Sequence, residues 1–201
     1  MANEYVTSAE LKATLSLTGQ TFADADITSA LTAASRAVDE IAHRRFWPDA
    51  DANQVRYYTP NGCDTVEIDD LVTLTSLLSD YDGDGTFEQT WVENTDFTLE
   101  PMNAVADGFP WDTIRLRALS AYRFGHYPRS LKVTGKFGWA AAPAGVKVAT
   151  AQIATRLLKI MREAPFGVAA IGMDGAAIRI SRTMPEVELS LAPYVKAQIL
   201  G

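Results

Sequence analysis

Residues 79–88, SDYDGDGTFE, place Asp80, Asp82 and Asp84 one residue apart and follow the last of them with Gly85. An EF-hand-type calcium loop opens in this way, with oxygen ligands at positions 1, 3 and 5, glycine at 6 and a bidentate acidic side chain at 12. Position 12 falls on Trp91, so the closing ligand is missing. The flanks also argue against helices. Val72, Leu74 and Leu78 before the run, and Phe87 and Trp91 after it, recur at even separations, the period of a half-buried strand. The stretch therefore predicts a β-hairpin. Gly83 and Gly85 supply the positive backbone angles of a tight tip, and the aspartates bond nearby amides. Because three carboxylates in one tip repel one another, capture of a cation by Asp80, Asp82 and Asp84 stays open as a second reading.

The hairpin belongs to a longer β-rich stretch. Across 54–139 the segments VRYYT, TVEI, LTSLL, FEQTWVE, DFTLE, TIRLRAL and SLKVTGKFGW are short, rich in β-branched and aromatic residues, and separated by turn chemistry. The acidic pair Asp69 and Asp70, between TVEI and LTSLL, reads as a solvated turn. Helical patterns lie on both sides. In 1–47, Thr7 with Glu10 forms a capping-box pair, and Ile27, Leu31, Ala34, Val38 and Ile41 fall on one helical stripe. Asp24 and Asp26 stand at the start of that helix, and His43, Arg44 and Arg45 at its end before Pro48, an arrangement that suits the helix dipole. In 145–163, Val146, Ala149, Ile153, Leu157 and Ile160 restore helical spacing and are expected to pack on the Ile27–Ile41 stripe. The fold class is therefore α+β: one domain over 1–201, made of a small helical bundle with a β-rich insertion.

Residues 165–201 form a C-terminal arm that is glycine-rich and apolar at first, passes through a strand candidate IRISR, and closes on a short helix. Phe166, Val168, Ile171, Met173 and Ile178 have no regular period to bury them in a monomer, so they are the interface candidates. A loop covering its own core explains them equally well. If the arm serves a neighbouring chain, truncation at Ala164 leaves a folded monomer.

Composition narrows the function classes. The chain has 201 residues with 47% apolar, enough for a substantial core. No apolar run reaches the roughly 20 residues of a membrane helix, and the N-terminus lacks the pattern of an export signal, so a cytoplasmic start and no membrane are expected. The single cysteine, Cys63, and two histidines give no disulfide and no zinc site. A formal net charge of -7 opposes tight binding to a phosphate backbone. His43 and His126 stand in no HExxH, GxSxG or Cys–His order, and no GxxxxGK[ST] loop is present. No catalytic residue, no cofactor and no enzymatic activity are expected.

Taken in order, YVTSAELKATLSL, AASRAVDEI with RRF, DGDGTFE, LEPMN, VTGKFGWAAAPAGVKVATAQIATRLLK, APFGV and the closing APY span nearly the whole chain. This succession resembles the head–tail connector (adaptor) proteins of long-tailed bacteriophages. The resemblance implies a structural virion protein of the neck, assembled in the host cytoplasm as a ring, typically dodecameric, beneath the portal protein. Such a ring extends the channel through which genomic DNA passes without specific binding, and offers a platform to a stopper or tail-completion protein. The β insertion is larger than the most compact adaptors carry, so no individual contact residue is transferred.

Overall fold

The computed structural model describes residues 3–16, 21–62, 64–118, 120, 123–125, 127–163, 169–171, 177–178 and 184–196; for 163, 169–171 and 177–178 the backbone alone is described. Cys63, His126, Phe166, Val168 and Met173 lie outside these residues. The chain divides into two compact units, one built from Met1–Phe46 with Ala142–Gly201 and one from Trp47–Ala141. The second unit is thus a continuous segment inserted into the sequence of the first. Among the described residues no helix is long and apolar enough to cross a membrane.

The first unit is helical: α1 (Ser8–Ser16), α2 (Asp24–Ala42), α3 (Ala144–Glu163) and α4 (Pro185–Leu191), the last followed by a 3-10 turn, Ala192–Tyr194. The capping box at α1 forms as its sequence predicts. Thr7 N–H donates to Glu10 Oε2 at 2.7 Å, and Glu10 N–H donates to Thr7 Oγ1 at 3.2 Å. Leu11 and Leu15 of α1 join Ile27, Ala30, Leu31 and Ala34 of α2 and Ala154 and Leu158 of α3 in one buried cluster.

Both predicted stripes are displaced near their ends. On α2, Ala42 is buried and Ile41 is 40% exposed. The helix stops at Ala42, because His43 adopts φ 52° and turns the chain away, so the basic trio follows the last helical turn and Pro48 plays no part in ending it. On α3 the fully buried line is Val146, Thr150, Ala154 and Leu158, four residues apart, with Ala149 beside it, while Ile153 and Leu157 are only half-buried. Apolar size misled the stripe assignment, since Thr150 meets its own polar demand by donating to the Val146 carbonyl at 2.8 Å. Small residues at the seam let α2 and α3 pack. Truncation at Ala164 would remove part of this core: Val187 and Leu191 of α4 are buried, Tyr194 meets Phe46 edge-on at 6.0 Å, and Lys196 N–H donates to the Ala42 carbonyl. The shortened chain would expose these contacts, which corrects the expectation of an intact monomer.

The second unit is a six-stranded antiparallel sheet: β1 (Gln54–Tyr58), β2 (Thr65–Ser79), β3 (Gln89–Trp91), β4 (Phe97–Glu100), β5 (Trp111–Leu116) and β6 (Leu131–Phe137). Strand order is β1-β6-β2-β5-β4, with β3 paired to the distal half of β2. The hairpin predicted around the aspartates is β2–β3, in register Leu77↔Trp91. TVEI and LTSLL, however, form one 15-residue strand. Asp69 and Asp70 lie inside it, so the turn expected there does not exist. Register shifts between Leu71 and Thr73 and between Leu74 and Ser76 move the buried side from Val66 and Ile68 to Leu77 and Ser79, which is why even spacing fails at Leu78. Ile114, Leu131, Val133, Phe137, Leu71 and Leu77, all at 0% exposure, centre the core. Each such side chain contributes roughly 1.5–3 kcal/mol on burial. A separate two-stranded pairing joins β7 (Ala169–Ile171) to β8 (Ala177–Ile178), with Ala169 opposite Ile178.

Candidate functional site

The aspartate tip is a network of carboxylate-to-amide bonds. Asp80, only 5% exposed, accepts from Gly83 N–H on Oδ1 at 2.7 Å and from Gly85 N–H on Oδ2 at 2.9 Å. Asp82 Oδ1 accepts from Asp84 N–H, and Asp84 Oδ1 from Thr86 N–H. Gly83 has φ 83°, and a Cβ there would come within 2.8 Å of the Tyr127 ring, so both conformation and space demand glycine. The carboxylates of Asp80, Asp82 and Glu88 approach within 4.8 Å of one another; Glu88, not Asp84, is the third member. Trp91, at the would-be twelfth position, is core: its Nε1 donates to Ser79 Oγ at 2.9 Å and its ring meets Phe124 at 5.1 Å.

Burial acts to raise the Asp80 carboxyl, but the amides of Gly85, Gly83, Asp82 and Asp84 outweigh it and hold the group below the usual carboxylate range. Glu10 is lowered too, first by the Thr7 amide and then by its hydroxyl. A carboxyl held low in the folded chain favours folding above its unfolded pKa of about 4, and that contribution is lost as pH falls through the folded value. Asp39 has the opposite sign: burial raises it, so its contribution lies below its unfolded pKa and is lost as pH rises. The Asp80 and Glu10 contributions are therefore lost as the pH falls below about 4, and the Asp80 share is read as the difference between the parent chain and a variant without that carboxylate. The Asp80→Asn variant should show a shallower fall in a thermal scan; an unchanged slope would contradict the assignment.

Asp69 accepts from Arg56 Nη1 at 2.6 Å and from the Tyr58 hydroxyl at 2.9 Å, while Arg56 also pairs with Asp49 and lies 4.1 Å from the Phe137 ring centroid. Asp70 is 7% exposed and accepts from Trp139 Nε1 at 2.8 Å. These carboxylates fasten strands together. His43 is the C-cap of α2. Of the interface candidates, Ile171 and Ile178 are placed by backbone alone, in β7 and β8, and Phe166, Val168 and Met173 lie outside the described residues.

Two surface features were not visible from periodicity. In the helical unit, one face of α3 and the start of α4 enclose a groove of about 640 Å³, lined among others by Val148, Ala151, Gln152, Arg156, Lys159 and Met184. In the sheet unit, the turn after β4 exposes Met102 to 72% and Val105 to 64%. LEPMN marks that turn in the sequence, but nothing in its spacing says which side chains point outward.

Solved structures contain chains of similar fold. The chain is similar, over 100% of its length and 98% of the other chain, to a protein in the neck of the native gene transfer agent (GTA) particle computed with C12 symmetry, with TM-score 0.55 and 16% identity. It is similar over the same shares to a chain in the neck of the empty GTA particle computed with C6 symmetry, with TM-score 0.56 and 18% identity. A chain in the virion of the native GTA particle aligns over 98% of this chain and 92% of that one, with TM-score 0.52 and 19% identity. At these identities the likeness establishes the fold. No protein-family model and no curated protein matches the chain.

Proposed function

We propose that this chain is a non-enzymatic structural subunit of a bacteriophage-type virion neck, forming a ring, dodecameric in the family it resembles, at the head–tail interface. The carrying observation is a fold match over the whole chain, inserted unit included, to neck chains of a phage-like particle. Symmetric averaging about an axis in those two necks supports a ring as the working assembly. The order of motifs from YVTSAELKATLSL to APY supports an adaptor position, with the portal protein on one side and a stopper or tail-completion protein on the other. A net charge of -7 suits a subunit beside passing DNA, since carboxylates repel phosphate and leave the genome free to slide. Assembly would take place in the host cytoplasm.

The proximity of Asp80, Asp82 and Glu88 favours one alternative, a calcium-stabilised binding module built on the 80–88 loop. Against it, both Asp80 oxygens already accept amide hydrogen bonds, and the twelfth position is a buried tryptophan. Calcium raising the melting temperature in a concentration-dependent way would favour the module. The neck reading is tested in the parent phage. Deleting the gene should leave DNA-filling heads that never join tails, with tails still assembled separately; normal virions from the deletion would contradict it.

A further inference from the structure

A ring of identical subunits with head-to-tail contacts needs two different surfaces per subunit that fit each other. Resting on the ring reading above, we propose that the α3 groove of one copy receives the 101–108 turn of a second copy.

The turn is a preformed knob. Ala104 is buried beneath it, and bonds from Ala104 N–H to the Pro101 carbonyl, Asp107 N–H to the Asn103 carbonyl and Phe109 N–H to the Ala104 carbonyl hold its shape without help from a partner. What it presents outward is Met102, Asn103, Val105 and Asp107, all exposed. A turn whose backbone is already held by its own hydrogen bonds loses little backbone freedom when it docks, leaving side-chain ordering, chiefly of Met102, as the entropic cost.

The groove offers counterparts for Met102, Val105 and Asp107. Val148, 50% exposed, with Ala151 and Met184 forms an apolar wall for Met102 and Val105. Gln152 also lines the groove, but its Oε1 is buried and offers no acceptor at the groove surface. Arg156 and Lys159 place two positive charges on one face of the helix against the single acidic Glu186 of the groove, and Asp107 supplies the opposite sign to that excess. Apolar and charged groups therefore match across surfaces drawn from different units, which is the asymmetry a head-to-tail contact requires.

The test uses full-length chains carrying Cys63→Ala and one new cysteine each, Val105→Cys in one and Ala151→Cys in a second chain bearing a size tag. The two are mixed and oxidised. The expected result is a mixed disulfide dimer far in excess of either homodimer, lost when the Ala151→Cys chain also carries Lys159→Glu and regained when the Val105→Cys chain then carries Asp107→Lys. Mixed dimer no more abundant than homodimers, or yield indifferent to both charge reversals, overturns the proposal. Occupation of the groove by residues 164–183 of the same chain, or by another neck protein, gives that same negative result. Negative-stain micrographs of the unmodified chain on its portal separate the two ideas. Rings without the mixed dimer sink the docking alone; the mixed dimer without closed rings sinks the ring and leaves the docking.

Discussion

Replacing Gly138 by alanine is expected to lower the urea midpoint of unfolding sharply, by an amount equivalent to 3 kcal/mol or more on the order-of-magnitude scale for strained backbone combined with overpacking. Gly138 adopts φ 102°, a region closed to side chains, and a Cβ built there would sit 2.1 Å from the Trp47 carbonyl oxygen and 3.0 Å from Pro48 Cα. Neither neighbour can yield, because both are backbone. Gly138 N–H donates to the Asp70 carbonyl at 2.6 Å, and Asp49 N–H donates to the Phe137 carbonyl at 2.8 Å. The strands that open and close the sheet unit are thus tied together at the point where the chain enters and leaves it, the usual location of an inserted domain's ends. Chemical denaturation followed by tryptophan fluorescence gives the answer; a midpoint within error of the parent chain, at unchanged slope, would contradict this account of the junction.

Trp139→Ala should cost about 3–5 kcal/mol, the usual range for deleting a buried aromatic side chain. Trp139 is 1% exposed, packs edge-on against Phe109 at 5.3 Å, and donates its indole N–H to Asp70, itself 7% exposed. The substitution therefore opens a void and also withdraws a donor from a buried carboxylate. Trp139→Phe separates the two effects. It keeps most of the packing and should still cost about 2 kcal/mol, the range for losing a hydrogen bond to a charged group. If Trp139→Phe is neutral while Trp139→Ala is severe, packing alone matters and the Asp70 bond contributes nothing.

The signals that worked in the sequence were the local ones. The capping box of Thr7 and Glu10 and the paired strands around the aspartate tip depend on residues a few positions apart, where chemistry and geometry are nearly one-to-one. The displaced stripe of α3 shows the limit of that approach. Thr150 and Ala154 are buried because a neighbouring helix packs there, and neither residue announces it by hydrophobicity. Asp69 and Asp70 misled for a related reason. Two adjacent acidic residues usually mark solvent, but the partners that keep them inside a strand, Arg56, Tyr58 and Trp139, are between 11 and 69 positions away. The groove was illegible because it is formed by a helix face whose apolar residues are outnumbered by Gln152, Arg156 and Lys159.

Electron cryomicroscopy of intact particles, reconstructed at the neck without imposed symmetry, tests the central claim most directly. The account predicts this chain as a closed ring between portal and tail, with its helical and sheet units both resolved and the DNA channel passing through its centre. Finding the chain on the capsid surface, at the distal end of the tail, or absent from purified infectious particles would contradict it.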